Sequence, residues 1–94
     1  MEKISFYIPA YNAQNTINYS IDSLLRQTYK IDEIIVIDDN STDKTFEIVK
    51  KYEKVKIIKN YSNFGLGYNR NLAIKKSINN IIAVSYTHLT LPTT

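Results

Sequence analysis

The chain has 94 residues, no cysteine and a net charge of +3 at pH 7, and 44% of its residues are hydrophobic. This length accommodates one small domain, and the absence of cysteine excludes a disulfide framework and a thiolate metal site. The twelve Lys and Arg residues form no long block, so we interpret them as a solvated surface and expect no nucleic-acid partner.

The amino terminus lacks the apolar core of a signal peptide. No apolar run in the sequence approaches the ~20 residues that a membrane helix needs. We therefore expect a cytoplasmic chain without a membrane segment, and the cytoplasmic face of a membrane is compatible with the same observations for the parent protein.

The first predicted strand covers Lys3–Ile8, where apolar and polar residues alternate. Pro9 is predicted to end it, because proline has no N–H for the sheet. A helix from about Asn15 to Gln27 follows, with an apolar stripe along one side and Asn12 or Asn15 as its candidate cap.

The second predicted strand, Glu33–Ile37, is apolar on both faces, which is typical of a strand inside a parallel sheet. It ends at two carboxylates, Asp38 and Asp39. Asn40 suits a turn, and a second helix is predicted over Ser41–Tyr52 with its first residue as the N-cap.

A third strand is predicted at Val55–Lys59, a polar loop at Asn60–Gly67, a third helix from about Gly67 to Ser77 and a fourth strand beginning at Ile81–Val84. The inward-facing residues of the third helix are expected to be Leu72, Ala73 and Tyr68. The alternation of strands and helices predicts an α/β fold, a Rossmann-like and mainly parallel sheet with flanking helices.

The carboxyl ends of parallel strands share one edge of a sheet, and ligands bind there in open α/β folds. We therefore expect Tyr11, Asp39 and Arg70 to converge. An aromatic ring can stack on a base, a carboxylate can accept an imide N–H, and a guanidinium can hold a base or a phosphate. This set suits a nucleotide.

Each of these residues also has a purely structural interpretation. Asp38 is consistent with a turn former or a cap. Asp39 is consistent with a solvated loop acid, Tyr11 with half-buried packing and Arg70 with a helix-surface charge. The glycines at 65 and 67 are not followed by the third glycine of a dinucleotide-binding fingerprint. They also open the third predicted helix, whereas the fingerprint opens the first.

Four motifs in this order resemble those of the inverting glycosyltransferases of family 2, which have the GT-A fold. They are Ile-Pro-Ala-Tyr-Asn at 8–12, Ser-Leu-Leu-Arg-Gln-Thr at 23–28, Val-Ile-Asp-Asp-Asn-Ser-Thr-Asp at 36–43 and Asn-Phe-Gly-Leu-Gly-Tyr-Asn-Arg-Asn at 63–71. The resemblance implies the N-terminal half of a GT-A domain, in which the nucleotide-sugar is bound by Pro9, Tyr11, Asp39 and Arg70. Candidate supporting residues are Ala10, Asn12 and Asp38. The family usually has alanine before that arginine, whereas this chain has Asn69.

The resemblance also implies a parent enzyme that transfers a sugar from a nucleotide-sugar to the hydroxyl of a saccharide or another acceptor. Among nucleotide-sugars, it favours a UDP-sugar as the donor. The family's Asp-x-Asp motif for Mg²⁺ or Mn²⁺ and its general base would lie beyond the fourth strand. We therefore expect no catalytic or metal residue in this chain and no transfer by it. The alternatives are a receiver-like module with Mg²⁺ at Asp38 and Asp39, and a non-catalytic nucleotide-binding module.

The end of the sequence differs in composition from the rest. Val84–Thr94 has no Ile, Asn or Lys, which are abundant before it, and it contains four threonines and the only histidine. The amino-acid sequence of this segment resembles a translated sequencing adaptor. We therefore predict a truncated nucleotide-sugar-binding half at residues 1–83 and a non-native tail at residues 84–94; a natural Thr-rich terminus is the alternative.

Overall fold

The computed structural model describes residues 4–26 and 31–79, together with the backbone of residues 81–84. Strands and helices alternate along the chain, as the sequence predicts. The elements are β1 (Ile4–Ala10), α1 (Ile17–Leu25), β2 (Ile31–Asp38), α2 (Thr45–Val49), β3 (Val55–Lys59), α3 (Gly65–Lys76) and β4 (Ile81–Val84).

The four strands form one sheet in the order β3-β2-β1-β4, and every neighbouring pair is parallel. The predicted α/β class with a parallel sheet is therefore confirmed. The chain moves from β1 outward to β3 and then crosses back to β4 on the other side of β1. This reversal makes the carboxyl end of β1 a place where loops diverge and leave a crevice.

The sheet is covered on both faces. On one face, Ile8 and Val36 pack with Ile17 and Ile21 of α1 and Val49 of α2. On the opposite face, a second cluster joins the sheet to α3 through Tyr7, Ile35, Ile37 and Ala73. Burial on both faces explains why β2 contains four consecutive β-branched residues, all at most 3% exposed.

The predicted end of β1 at Pro9 is wrong, because the strand continues to Ala10. The Ala10 carbonyl accepts a hydrogen bond of 2.8 Å from the Asp39 N–H, on the β2 side. Since backbone groups alternate in direction along a strand, the Pro9 nitrogen faces away from β2, and the described pairing with β4 ends before it, at Tyr7. Between the described strands, no ladder bond is therefore lost.

The predicted start and cap of the first helix are also wrong. The N-cap is Thr16, which makes no side-chain cap bond, and the helix begins at Ile17. Asn12 instead has a left-handed backbone with φ of 49° and belongs to the preceding loop. Gln27, the predicted last residue of this helix, lies outside the described residues.

The second helix is shorter than predicted, because it begins at Thr45 and not at Ser41. The Ser41 hydroxyl accepts a bond of 2.8 Å from the Asn12 N–H, so it is used between two loops and not as a cap. The N–H of Thr45, the first residue of the helix, donates to the Asp43 carboxylate at 2.9 Å. This carboxylate satisfies a donor that the first turn leaves free.

The third helix begins at Gly65, two residues earlier than predicted. Ala73 is buried and Leu72 is partly buried, as expected. Tyr68 is 51% exposed, so its predicted inward position is wrong, and Asn69 takes the buried position with 1% exposure. Of the predicted tail, only the backbone of Val84 is described. No helix within the described residues is long and apolar enough to cross a membrane.

Candidate functional site

A cavity of about 200 Å³ lies at the carboxyl edge of the sheet, between the ends of β1 and β2 and the start of α3. Its lining consists of Pro9, Ala10, Tyr11, Asp39, Asn63, Gly65, Leu66 and Asn69. A larger cavity of about 420 Å³ lies at the opposite edge, beside the start of β2, and contains none of the predicted site residues. The smaller cavity is therefore the candidate site.

Asp39 bonds the amino end of α3 through both carboxylate oxygens. The Phe64 N–H donates to Oδ1 at 2.9 Å, and the Gly65 N–H donates to Oδ2 at 3.1 Å. These N–H groups belong to the first turn of a helix, which has no internal partner for them and carries a positive partial charge. Asp39 thus caps α3 from a different part of the chain.

The surroundings of Asp39 keep it ionised. Burial by itself raises the pKa of this carboxyl, but the hydrogen bonds from Phe64, Gly65 and the amides of Asn60 and Asn69 outweigh burial and lower the pKa below its ordinary value. At neutral pH the side chain is therefore a carboxylate that only accepts hydrogen bonds.

Three asparagines around Asp39 are not among the predicted site residues. The Asn60 side-chain nitrogen donates to Asp39 Oδ1 at 3.0 Å and to Asn69 Oδ1 at 2.6 Å. Asn63 donates to the Asp39 carbonyl at 2.7 Å. The only sequence signal for this network was that Asn69 replaces a usual alanine, because amide pairing between separate elements has no periodicity to detect.

Asp38 has the contacts of a residue that forms a turn. It is fully buried, its Oδ1 accepts a bond of 3.2 Å from the Ser41 N–H, and its Oδ2 lies 3.4 Å from the Lys59 ammonium. It does not line the cavity. These contacts hold the turn that precedes Ser41.

Asn12 connects the two loops at this edge. Its side-chain oxygen accepts a 2.8 Å bond from the Thr42 N–H, while its own N–H donates to the Ser41 hydroxyl. Like Asp38, it does not line the cavity. It links the loop after β1, which carries Tyr11, to the loop after β2.

The cavity brings together three of the four predicted principal residues. Pro9, Tyr11 and Asp39 line it, and Tyr11 as a whole residue is 44% exposed. Arg70 is exposed on α3, one turn beyond Leu66, and is not part of the lining. Arg70 is therefore not among the residues that line the cavity.

The described residues do not fit a divalent metal ion. Within residues 4–26 and 31–79, no group of three or more His, Cys, Asp or Glu side chains could hold one. The two acids nearest the cavity are already engaged, Asp38 by Lys59 and Asp39 by backbone N–H groups. This engagement also argues against the receiver-like alternative, which needs both carboxylates for Mg²⁺.

Comparison with known proteins identifies the family. Residues 5–92 match the family model described as glycosyl transferase family 2. The chain is 44% identical over 77 residues to the Escherichia coli protein named UDP-Glc:alpha-D-GlcNAc-diphosphoundecaprenol beta-1,3-glucosyltransferase WfaP. The match covers 80% of this chain and 31% of WfaP, so the chain spans less than a third of that relative.

Solved structures agree with this result. TarS residues 1–349 from S. aureus, in complex with UDP, superpose with a TM-score of 0.82 and 32% identity over 90% of this chain and 27% of theirs. Glucosyl-3-phosphoglycerate synthase from Mycobacterium tuberculosis, in complex with Mn²⁺, UDP and glucosyl-3-phosphoglycerate, gives 0.74 and 26% over 92% of this chain and 33% of its own. The parallel sheet, the strand-end motifs and these matches together establish that the chain belongs to glycosyltransferase family 2.

Proposed function

We propose that this chain forms the nucleotide-binding part of the donor site of a glycosyltransferase that uses a UDP-sugar. The observation that carries the proposal is the cavity in which the Tyr11 ring and the ionised Asp39 carboxylate lie at one edge of the sheet. The UDP complexes of the similar TarS and synthase structures support the choice of uridine.

Each lining residue has a distinct task in this proposal. The Tyr11 ring stacks on the uracil, and the Asp39 carboxylate accepts its imide N–H. Pro9 and Ala10 supply a wall at the end of β1 that is set by sheet pairing. Arg70 contacts the nucleotide only if its long side chain turns back toward the cavity when the nucleotide binds.

The parent protein would transfer the sugar to an acceptor hydroxyl, with UDP as the leaving group. Mn²⁺ in the similar synthase supports Mg²⁺ or Mn²⁺ as its cofactor, which would neutralise charge on the diphosphate. The described residues offer no site for that ion, so its ligands are assigned elsewhere in the parent. The lipid-linked substrate named for WfaP supports action at the cytoplasmic face of a membrane.

The test is titration of the 94-residue chain with UDP by calorimetry. We expect weak, saturable binding, and we expect 3-methyl-UDP, which has no imide N–H, not to compete. Asp39→Asn should weaken UDP binding by about tenfold or more, since hydrogen bonds to charged groups contribute roughly 1.5–3 kcal/mol. Asp43→Asn is the matched control, because Asp43 also accepts backbone bonds but lies outside the cavity.

Unchanged UDP binding by Asp39→Asn, with the Asp43 control also unchanged, would reject Asp39 as the base-binding group. The same chain should transfer no sugar from UDP-sugar donors, because the described residues provide neither a metal site nor a group assigned as general base. Transfer at an ordinary enzymatic rate would contradict the assignment of the chemistry to other parts of the parent.

A further inference from the structure

The helix α3 buries little apolar surface against the sheet. All twelve of its residues are described, and only Asn69 and Ala73 among them are buried, while Leu72 is partly buried. The shorter α1, with nine residues, buries three large aliphatic side chains. Burial of apolar surface is the main force that holds a helix on a sheet, and an alanine methyl contributes little to it. Other contacts are therefore needed to keep α3 in place.

Polar contacts hold α3 at its amino end. The Asp39 carboxylate accepts the N–H groups of Phe64 and Gly65 at 2.9 and 3.1 Å. The Asn63 side chain donates to the Asp39 carbonyl at 2.7 Å. Since Asp39 directly follows β2, these bonds join the start of the helix to the carboxyl edge of the sheet.

A second carboxylate holds the other end of α3. Glu33, near the start of β2, is 7% exposed and accepts the Ile78 N–H at 3.1 Å. The hydroxyl of Ser77, directly after the helix, lies 2.9 Å from the Ser5 hydroxyl of β1 and 3.3 Å from the Glu33 carboxylate. Lys56 of β3 pairs with the same carboxylate. The segment that ends the helix is thus bonded to the amino edge of the sheet.

The spacing of the two carboxylates matches the length of the helix. Six residue steps separate Glu33 from Asp39, and they span about 20 Å along a strand. The twelve residues of α3 form a helix about 18 Å long. Two carboxylates that bracket β2 therefore hold α3 at its two ends, while its middle adds little apolar contact.

The same helix supplies one side of the candidate site. Gly65, Leu66 and Asn69 of α3 line the cavity beside Tyr11 and Asp39. If α3 separates from the sheet, the cavity loses that side. A ligand that needs the complete cavity therefore binds only while α3 is in place.

We propose that α3 is a movable wall of the cavity, which separates from the sheet as one unit while the other elements stay folded, and which a bound nucleotide holds closed. Segments that open in this way have few buried apolar contacts, as α3 has. The opening follows from the contacts of α3 itself, whereas its closure by a nucleotide rests on the proposed function. A ligand that binds only the closed form shifts the equilibrium toward that form.

The experiment is amide hydrogen exchange of the 94-residue chain, followed residue by residue by NMR. The amides of α3 beyond its first turn should share one equilibrium constant for opening, because they open together. This constant should be at least about tenfold larger than that of the amides in β1 and β2, which exchange only when the whole chain unfolds. One shared constant for α3 and the sheet would overturn the proposal.

Ile21→Val separates the opening of α3 from unfolding of the whole chain. Ile21 is fully buried on the opposite face of the sheet, where its packing stays intact when α3 alone separates. The substitution should speed exchange of β1 and β2 about two- to tenfold, as expected for the stability that Ile to Val usually removes. Exchange of α3 should not change, and an equal acceleration of α3 would mean that the helix opens only with the whole fold.

Ser77→Ala tests the contact at the far end of the helix. Exchange of α3 should become about two- to tenfold faster, because a hydrogen bond that holds the closed form is lost. Ser62→Ala is the matched control, since Ser62 is an exposed serine in the loop before α3, and exchange should not change. Equal results for the two variants would reject the hold at this end of α3.

UDP tests the closure. At about ten times the dissociation constant measured by calorimetry, UDP should slow exchange of α3 about tenfold. If calorimetry detects no binding, the proposed function fails, and closure by a nucleotide fails with it. If UDP binds and exchange of α3 does not slow, this inference fails and the proposed function stands.

Discussion

Three buried or half-buried carboxylates in this small chain are satisfied in three different ways. Asp38 pairs with Lys59 and a turn N–H, Asp39 caps a helix, and Glu33 lies within a hydroxyl and ammonium cluster at the other edge of the sheet. Of these three, only Asp39 lines the cavity that contains Tyr11, whereas Glu33 lines the larger cavity at the opposite edge. The environment of Asp39, and not its position in the sequence, distinguishes it from its neighbour Asp38.

Glu33 makes acid stability a test at the residue scale. Burial raises the pKa of Glu33, but hydrogen bonds from Lys56, from the Ser5 hydroxyl at 2.7 Å and from the Ile78 N–H at 3.1 Å outweigh it and lower the pKa. A lowered folded-state pKa contributes stability above the unfolded-state value, and this stability is lost as pH falls through the folded-state value.

We therefore expect the melting temperature to fall as the pH decreases below about 4.5. Glu33→Gln should lower stability at pH 7 by about 1–3 kcal/mol, because it weakens bonds to a charged acceptor. It should also reduce the slope of melting temperature against pH in the acid range, although Asp39 and Asp43, whose pKa values are also lowered, retain part of that slope. An unchanged slope would show that Glu33 is not the group responsible.

At the scale of elements, α1 and α2 are joined by a hydrogen-bonded tyrosine. Tyr52 lies three residues after the end of α2. Its hydroxyl lies 2.9 Å from Asp22 Oδ1 and 3.0 Å from Asn18 Oδ1, both on α1. Burial and then the Asp22 carboxylate raise the pKa of Tyr52 to about 12. The neutral hydroxyl is therefore the form that the folded chain favours.

Tyr52→Phe tests this link between the helices. A raised folded-state pKa gives stability that is complete below the ordinary value near 10 and is lost as pH rises through about 12. The free energy of unfolding at pH 7, measured by chemical denaturation, should be lower for the variant by about 1 kcal/mol. Between pH 10 and 12 the unsubstituted chain should lose stability faster than the variant, and parallel curves would refute the assignment.

At the scale of the whole molecule, α3 and its flanking loops carry several large apolar side chains that are exposed among the described residues. These side chains are Tyr61 (81%), Phe64 (49%), Leu66 (57%), Tyr68 (51%), Ile74 (52%) and Ile78 (70%). The rings of Phe64 and Tyr68 lie 4.6 Å apart. Exposed apolar side chains of this kind favour association in water.

We therefore expect the isolated chain to self-associate as its concentration rises. Ile74→Lys should shift the equilibrium toward the monomer by placing a charge in that surface, as measured by sedimentation equilibrium. Tyr19→Lys is the control, because Tyr19 is 74% exposed on α1, in the layer on the opposite face of the sheet. Equal effects of the two substitutions would mean that the α3 surface has no special part in association.

Local patterns predicted much of this architecture. The β-branched run of β2, the apolar stripes of α1 and α2 and the alternation of elements are short-range signals, so the parallel α/β fold and the edge bearing Tyr11 and Asp39 followed from them. Helix starts were less predictable. Ser41 and Asn12 are good caps by residue type, yet they bond one another across two loops, and such a long-range partner leaves no local trace.

The sequence by itself determined the family, the order of strands and helices, and the pairing of an aromatic ring with a carboxylate at one sheet edge. Only the tertiary structure decided that Asp39 caps α3, that Asp38 is enclosed with Lys59, that Arg70 stays outside the cavity and that Asn60 and Asn69 complete it. The physical reason is that α3 crosses to the other face of the sheet, which brings its first turn against a strand end 25 residues earlier in the chain.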